Sequence, residues 1–275
     1  MNTGDIFYCT SALESANIYA VSSNDVTANP RHNLLDKNLN TYWQPTTANN
    51  QYITIDTVAT NPWKTVNGFG LWIKDTNHNY STNFMTLSGS NAPTTGFVGL
   101  KVAHVNHVNG SSSGSLAYSE LDSSVQYRYY RISLRNNTGI APKLGYVFLG
   151  TKHQMPVPYE RNNSTRFPIF DNDEVQMNNR KLVHVNAKYP TLKFQRIYQV
   201  LDQAAINDAE AIWSEAAGVR NFFLYREDPN TLNTGNIFVC VMEKDEPKWT
   251  ANDYLFNTYT FNFVSQPFIR TGETF

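Results

Sequence analysis

The segment 34–43, LLDKNLNTYW, decides how the first half of this chain folds. Two leucines precede a polar run of Asp, Lys, Asn and Thr, and the run ends on the aromatic pair Tyr42 and Trp43. Side chains of Asp, Asn and Thr replace backbone hydrogen-bond partners in tight turns. We therefore predict a rigid polar turn whose two ends are anchored in a core by Leu35 and Trp43.

Short β-like segments follow this turn in a characteristic order. They are 52–57 (YITIDT), 66–73 (VNGFGLWI), 127–134 (YRYYRISL) and 144–150 (LGYVFLG). Turn and segments together resemble the discoidin family, which includes the C-type domains of coagulation factors, although Lys37 stands where that family usually has glycine. The resemblance covers residues 17–152 and implies a jelly-roll β-sandwich.

Length and composition indicate two β-rich domains. The chain has 275 residues, more than one average domain, and its 16% charged and 13% aromatic residues suit sheets with polar, uncharged outer faces. The net charge is −1, with ten basic and eight acidic residues in 1–153 and twelve basic and fifteen acidic residues after it. Neither half has the basic excess that phosphate binding requires, so we predict no nucleic-acid partner.

The second half has a different pattern. Strand-like segments surround one amphipathic helix, predicted over 202–217, in which apolar residues recur every three or four positions. This order resembles the tube-building domain of long-tailed bacteriophage tail-tube and distal-tail proteins over residues 174–268, and it implies assembly into a ring. We predict four parts: a 1–16 N-terminal arm, the 17–152 sandwich, a proline-bearing 153–173 linker, and a 174–275 β domain with the helix.

The last strand-like run, 254–266, carries aromatic residues on both faces. Such a strand serves assembly with another chain, and a long central strand is the alternative. The candidate assembly residues are Tyr254, Phe256, Tyr259, Phe261 and Phe263.

Loops of the first domain supply the candidate ligand contacts. The discoidin resemblance implies that ligand-binding loops project from one end of the sandwich, and aromatic rings stack on sugar faces. Ordinary loop packing or contact with a neighbouring subunit is the alternative. The candidates, for a glycan or a protein ligand, are Trp63, His78, Asn79 and Tyr80.

Three residues of the polar turn offer oxygen ligands to Ca²⁺: Asp36, Asn38 and Asn40. Calcium sites use several carboxylates and carbonyls, and this turn has only one carboxylate. A capped structural turn is the favoured interpretation, and we expect no cofactor.

Three arginines near the end of the first domain raise the question of an anionic ligand. Strand alternation puts Arg131 and Arg135 on one face and Arg128 on the other, so the three cannot converge. A solvated strand face is the simpler interpretation.

No pattern indicates catalysis. The run GSSSG at 110–114 matches a nucleophile elbow, but no helical stripe follows it, and we interpret it as a flexible loop. His104 and His107 are three apart on a predicted strand and therefore lie on opposite faces. Cys9 and Cys240 belong to no metal or redox motif, so we expect buried thiols. We predict no enzyme.

Two functional hypotheses follow from the resemblances. The first is a virion structural protein of a phage tail or baseplate, made in the host cytoplasm, that contacts tail proteins, copies of itself and a host glycan. It rests partly on the absence of a secretory signal or membrane span. The second is a secreted or surface carbohydrate-binding module protein without an assembly role.

Overall fold

A computed structural model describes most of the chain. The described residues are 4–13, 16–38, 41–48, 50–57, 65–74, 85–103, 115–135, 140–159, 164–177, 180–200, 203–216, 222–227, 237–243, 248–252 and 256–265. Within them the chain is mainly β, in antiparallel sheets, with a single α-helix. This confirms the predicted fold class.

The chain divides into two compact units. The sandwich unit comprises Tyr8–Lys152 and Asn221–Phe223. The helix unit comprises Met1–Phe7, His153–Arg220 and Leu224–Phe275.

The first nine strands lie wholly or partly in the sandwich unit. They are β1 (Ile6–Cys9), β2 (Asn17–Val21), β3 (Gln51–Asp56), β4 (Val66–Ile73), β5 (Met85–Ser90), β6 (Val98–Ala103), β7 (Ser115–Val125), β8 (Tyr129–Leu134) and β9 (Leu144–Gln154). One sheet has the order β2-β3-β8-β5-β6, and a second places β4 between β9 and β7. Every neighbouring pair is antiparallel. The predicted segment 66–73 coincides with β4.

Alternating side chains of these strands form the core of the sandwich unit. Ile53 and Ile55 of β3 are fully buried, and Ile132 and Leu134 of β8 lie beside them. Burial of such side chains stabilises the fold by about 1.5–3 kcal/mol each. The predicted core tryptophan Trp43 is 0% exposed.

The structure corrects the anchor at the start of the polar turn. Leu34 is fully buried and Leu35 is only half-buried, the reverse of the sequence prediction. A short 3-10 helix, Arg31–Leu34, causes the difference because it ends on Leu34 and turns that side chain inward.

The helix unit contains the remaining elements. They are β10 (Thr165–Met177), β11 (Arg180–Val200), α1 (Gln203–Ala216), β12 (Phe223–Arg226), β13 (Ile237–Met242), β14 (Lys248–Asn252) and β15 (Phe256–Ser265). The strand order is β10-β11-β15-β13-β12, and β14 also pairs with β15.

Two elements of this unit differ from the sequence prediction. The whole 153–173 segment was predicted as a linker, but β10 occupies residues 165–177 and pairs with β11, with one register shift. Pro168 is tolerated because β10 is the outermost strand in the order, where a missing N–H leaves no ladder bond unmade. The sequence also predicts two separate strands, 180–187 and 191–200, but they form the single strand β11, with an irregularity opposite the register shift between Ile169 and Asp171.

Helix α1 confirms the predicted helix within one residue at each end. Its buried side chains, Ala205, Ala209, Ile212 and Ala216, follow the predicted spacing. Trp213, which the prediction included in the stripe, is only half-buried. Across the described ranges, no helix combines the length and apolarity needed to cross a bilayer.

Candidate functional site

The polar turn of the sandwich unit is closed by its own side chains. The Asn38 N–H donates to Asp36 Oδ1 (3.0 Å), and the Thr41 hydroxyl donates to Asp36 Oδ2 (2.6 Å). Lys37 has φ 57°, the left-handed region that favours glycine, which explains why the resembled family has glycine there. The carboxylate of the weak Ca²⁺ candidate Asp36 therefore closes a capped turn, while the third candidate, Asn40, lies outside the described residues.

Trp43 fixes the end of this turn to the start of β9. The Trp43 N–H donates to the carbonyl of Leu144 (2.6 Å), and the Leu144 N–H donates back to the carbonyl of Trp43 (2.9 Å). The indole Nε1–H donates to Asp25 Oδ1 (3.0 Å), and Arg31 Nε donates to the same carboxylate (2.9 Å). Burial alone would raise the pKa of Asp25, but the hydrogen bonds and charge of Arg31 outweigh it and lower that pKa.

The four predicted ligand contacts lie outside the described residues: Trp63, His78, Asn79 and Tyr80. The loop with Trp63 follows Thr57, whose N–H donates to the carbonyl of Arg128 (3.0 Å). The loop with the other three follows Lys74, whose N–H donates to the carbonyl of Lys143 (2.9 Å). The chain runs the length of β4 between these two points, so the two loops leave the sandwich at opposite ends. The ligand role of the four residues stays a prediction.

The outer face of the five-stranded sheet carries a shallow groove. Four side chains form a row across it, because Tyr52 pairs with Ser133, Ser133 with Thr86, and Thr86 with Val102. Neighbouring strands lie about 4.8 Å apart, so the row spans ~14 Å. The groove has a volume of about 480 Å³, and Arg135 also lines it.

Strand β8, the middle strand of this sheet, and the residue that follows it supply two arginines to the outer face. Arg131, Ser133 and Arg135 alternate with the buried Ile132 and Leu134. The two arginines therefore share the groove face, as the strand alternation predicts.

Aromatic rings hold Arg131 in place. Its guanidinium carbon lies 4.6 Å from the centroid of the Tyr52 ring and 3.9 Å from that of Phe97. Its Nε–H donates to the hydroxyl of Thr54 (3.0 Å). Such stacking contributes about 0.5–1 kcal/mol at exposed sites, and here it also fixes one face of the Tyr52 ring.

Arg128 belongs to a different part of the sandwich unit. Its Nε and Nη2 donate to the two carboxylate oxygens of Asp56, each at 3.1 Å. This pair lies where β3 ends and β8 begins, at the far end of the sheet from Arg135.

The candidate assembly strand β15 is a central strand of the helix unit. It pairs with β11 along one edge and with β14 and β13 along the other. Tyr259, Phe261 and Phe263 are 2% exposed or less, so their rings belong to the core of this chain. Phe256 begins β15, and Tyr254 lies outside the described residues. The assembly role of the five residues stays a prediction.

A buried polar network lies beside this core, and we refer to it below as the buried network. Asp5 accepts hydrogen bonds from the hydroxyls of Tyr198 (2.6 Å) and Tyr225 (2.7 Å). Arg196 donates through Nε to the Tyr225 hydroxyl (2.9 Å) and through Nη2 to Glu227 (2.5 Å). Burial, together with the charge of Asp5, raises the pKa values of both tyrosines well above 10.0. Each charge in the network has a partner inside the fold.

Sequence reasoning missed the buried network and the groove. In the network, Asp5 joins tyrosines 193 and 220 residues away, and no local pattern carries that information. In the groove, alternation did indicate the shared face of Arg131 and Arg135. The Tyr52 and Phe97 rings beside Arg131 come from strands and loops that only the tertiary fold brings together.

The remaining sequence candidates fall into two groups. Some lie outside the described residues, namely the GSSSG run at 110–114, His104 and His107. Cys9 and Cys240 are buried thiols, as predicted, and burial raises the pKa of Cys240 well above its ordinary value.

Comparisons with known proteins find similar solved structures but no similar sequence. No protein-family model matches the chain. The search of curated proteins also found no match.

Three of the similar structures match about half of this chain and nearly all of their own. The chain is 22% identical to the CBM32 module of AlyQ in complex with 4,5-unsaturated mannuronic acid, with 48% of this chain and 95% of that one covered and a TM-score of 0.36. It is 16% identical to chitosan-binding module 1 of a chitosanase/glucanase from Paenibacillus sp. IK-5, with 52% and 98% covered and a TM-score of 0.39.

A third similar structure comes from Clostridium perfringens. It is the module CpGH89CBM32-5 in complex with GalNAc-beta-1,3-galactose, at 12% identity, with 52% and 99% covered and a TM-score of 0.41. Nothing in these comparisons supports the tail-tube resemblance of residues 174–268, which stays a prediction.

Proposed function

We propose that this protein binds carbohydrate through the groove on the outer face of its sandwich unit. The observation that carries the proposal is the row of Tyr52, Ser133, Thr86 and Val102 across four neighbouring strands. An aromatic ring, two hydroxyls and an apolar side chain stand in line on one solvent-facing surface.

The chemistry of this row suits a sugar. A pyranose ring presents C–H groups on its faces and hydroxyls at its edges, so it combines with an aromatic face and with small polar side chains. Ser133 and Thr86 both donate and accept hydrogen bonds. The groove also includes Asn50, whose side-chain amide can both donate to and accept from sugar hydroxyls.

Tyr52 is held ready for stacking. Arg131 lies against its ring at 4.6 Å, so the ring loses little freedom when a ligand arrives. Ordering a side chain on binding costs about 0.5–1.5 kcal/mol, and a ring already held avoids most of that cost.

The proposal includes no chemical step. Among the described residues, the groove is lined by Asn, Gln, Tyr, Thr, Val, Ser, Leu and Arg side chains and by no Asp, Glu, His or Cys. Asp, Glu, His and Cys are the side chains that most often transfer protons or act as nucleophiles near neutral pH. We therefore propose binding alone for the groove.

The virion hypothesis adds assembly partners and a tail location to this function. It rests on the order of elements after Glu174, the uncharged β-rich composition and the absence of a secretory signal. Of the candidate assembly residues, Tyr259, Phe261 and Phe263 lie in the core of one chain. We therefore base the proposed function on the sandwich unit, in agreement with the carbohydrate-binding alternative, and leave assembly as a hypothesis.

A glycan array tests the proposed function. We expect the purified protein to bind a subset of glycans, Tyr52→Ala to lose that binding, and Tyr52→Phe to keep it because the ring remains. Tyr19→Ala is the matched control, since Tyr19 is 45% exposed and packs against Tyr129 at the other end of the sheet. Binding that is equally strong in Tyr52→Ala, or no binding to any glycan, contradicts the proposal.

A further inference from the structure

We propose that the groove recognises an acidic sugar, and that Arg135 binds its carboxylate. This inference rests on the proposed function and narrows it to a ligand class. It begins from the difference between the arginines of the groove and the other cations of the sandwich unit.

Four cations of the sandwich unit have carboxylate partners. Their ion pairs are Arg31 with Asp25 (2.9 Å), Arg128 with Asp56 (3.1 Å), Lys152 with Glu120 (2.8 Å), and Lys101 with Asp122. Asp36, the fifth described carboxylate of this unit, closes the polar turn. Every described carboxylate of the sandwich unit is therefore engaged away from the groove.

The groove arginines contact no carboxylate in the described part of the unit. Arg131 contacts two aromatic rings and the Thr54 hydroxyl, and Arg135 is exposed at the edge of the groove. The sequences 104–114, after β6, and 136–139, after Arg135, contain no Asp or Glu, while the sequence 75–84, before β5, contains Asp75. Among the described residues, the positive charge of the two arginines therefore has no carboxylate partner.

The sandwich unit as a whole also has a positive net charge. Residues 8–152 contain ten Lys and Arg and seven Asp and Glu, a net charge of +3. A modest positive charge attracts an anion without the long basic stripe that nucleic acid requires. Charge complementarity thus favours a small anionic group on a ligand that otherwise fits a hydroxyl-lined groove.

Arginine geometry selects the anionic group. A guanidinium presents parallel N–H groups in a planar fork, which matches the two oxygens of a carboxylate. Along a strand, alternate residues lie about 6.8 Å apart, so Arg135 and Ser133 are separated by roughly one sugar ring. A uronic acid whose ring stacks near Tyr52 and Ser133 can therefore place its carboxylate at Arg135.

Arg131 has a different role in this arrangement. Its guanidinium is occupied by the rings of Tyr52 and Phe97, so it positions the Tyr52 ring and adds positive charge beneath the ligand. Arg135, with its exposed fork, makes the direct contact.

Affinity electrophoresis tests this inference with matched polymers. Native gels are cast with polygalacturonate, with alginate, or with polygalacturonate whose carboxyl groups have been reduced to alcohols. We expect at least one acid polymer to retard the wild-type protein and the reduced polymer not to. Arg135→Gln should bind the acid polymer roughly ten- to hundredfold more weakly, because a hydrogen bond to a charged group is lost.

Arg128→Gln provides the matched control. It removes the same charge from the same region of sequence, but its partner is Asp56 at the far end of the sheet. We expect it to be retarded like the wild type, and thermal unfolding checks that both variants fold.

Each other outcome overturns the inference. Equal retardation by the acid polymer and the reduced polymer shows that the protein binds the sugar without recognising its carboxylate. If Arg128→Gln and Arg135→Gln lose retardation by the acid polymer equally, the polymer is attracted by the net charge of the protein and not by Arg135. If no acid polymer retards the protein while neutral glycans bind on the array, the proposed function stands and the acid assignment fails. If nothing binds in either assay, both fail.

Discussion

Two arginines, one in each unit, show how differently the same side chain is used in this protein. Arg196 of the helix unit is 2% exposed, lies over aromatic rings and ends on the carboxylate of Glu227. Arg131 of the sandwich unit also lies between aromatic rings, but among the described residues it meets a hydroxyl and no carboxylate. The comparison separates a charge that the fold itself satisfies from one that has no carboxylate partner among the described residues.

The energetic cost of removing each arginine differs for the same reason. A buried ion pair costs several kcal/mol to break, because the remaining charge stays buried without a partner. Removal of Arg131 leaves no charge without a partner and takes one donor from the buried Thr54 hydroxyl. Stability measurements on the two units can therefore test the comparison without any ligand.

The largest effect is expected for Arg196→Met in the buried network. Removing the guanidinium takes a donor from the Tyr225 hydroxyl and a partner from Glu227, and we expect a loss of about 3 kcal/mol in the free energy of unfolding. Arg131→Met should cost about 1–2 kcal/mol, because it removes exposed cation–π contacts and one hydrogen bond to the Thr54 hydroxyl. Denaturant unfolding of both variants measures the difference, and equal losses would break the comparison.

An intermediate effect is expected for Asp25→Ala beside the polar turn. The substitution removes the acceptor of the buried Trp43 indole N–H and the partner of Arg31, so we expect a loss of about 2 kcal/mol at neutral pH. Asp122→Ala is the control, because its side chain is 86% exposed and its ion pair with Lys101 contributes little.

The Asp25 contribution should also depend on pH. The pKa of Asp25 is lowered in the folded protein, so its stabilisation is complete above the ordinary value of 3.8 and is lost as pH falls through the folded-state value. The stability difference between wild type and Asp25→Ala should therefore shrink in acid. A difference that stays constant down to pH values below the folded-state pKa contradicts this account of the carboxylate.

The smallest effect, and one of opposite sign, is expected for Lys37→Gly. Lys37 holds φ 57°, which costs a side-chain-bearing residue about 1–2 kcal/mol, while glycine adopts it freely but loses more entropy on folding. We expect a net stabilisation of about 0.5 kcal/mol, measured as a rise in the denaturation midpoint. A loss of stability indicates that contacts of the lysine side chain outweigh its backbone strain.

Local patterns predicted much of the fold. The segment VNGFGLWI, matched to a strand through the discoidin resemblance, coincides with β4, and the three- and four-residue spacing of apolar residues predicted α1 within one residue at each end. Such elements are encoded in neighbouring side chains. The strand β10 was missed because prolines and polar residues suggested a linker, while its pairing with β11 is decided by residues that follow it in the chain.

The candidate site was harder to predict for a related reason. Sequence reasoning looked for ligand contacts in aromatic loops, at Trp63 and at 78–80, because a loop motif is visible in one segment. The groove is built by register: Tyr52, Ser133 and Thr86 come from three strands distant in sequence. Only pairing across the sheet brings them into one row.

The most direct test of the central claim is a crystal structure of the protein with an oligogalacturonate. The account predicts a sugar ring against Tyr52, with its carboxylate within hydrogen-bond distance of the Arg135 guanidinium. An oligosaccharide bound instead at the loops that carry Trp63 or His78, with the groove empty, would contradict it.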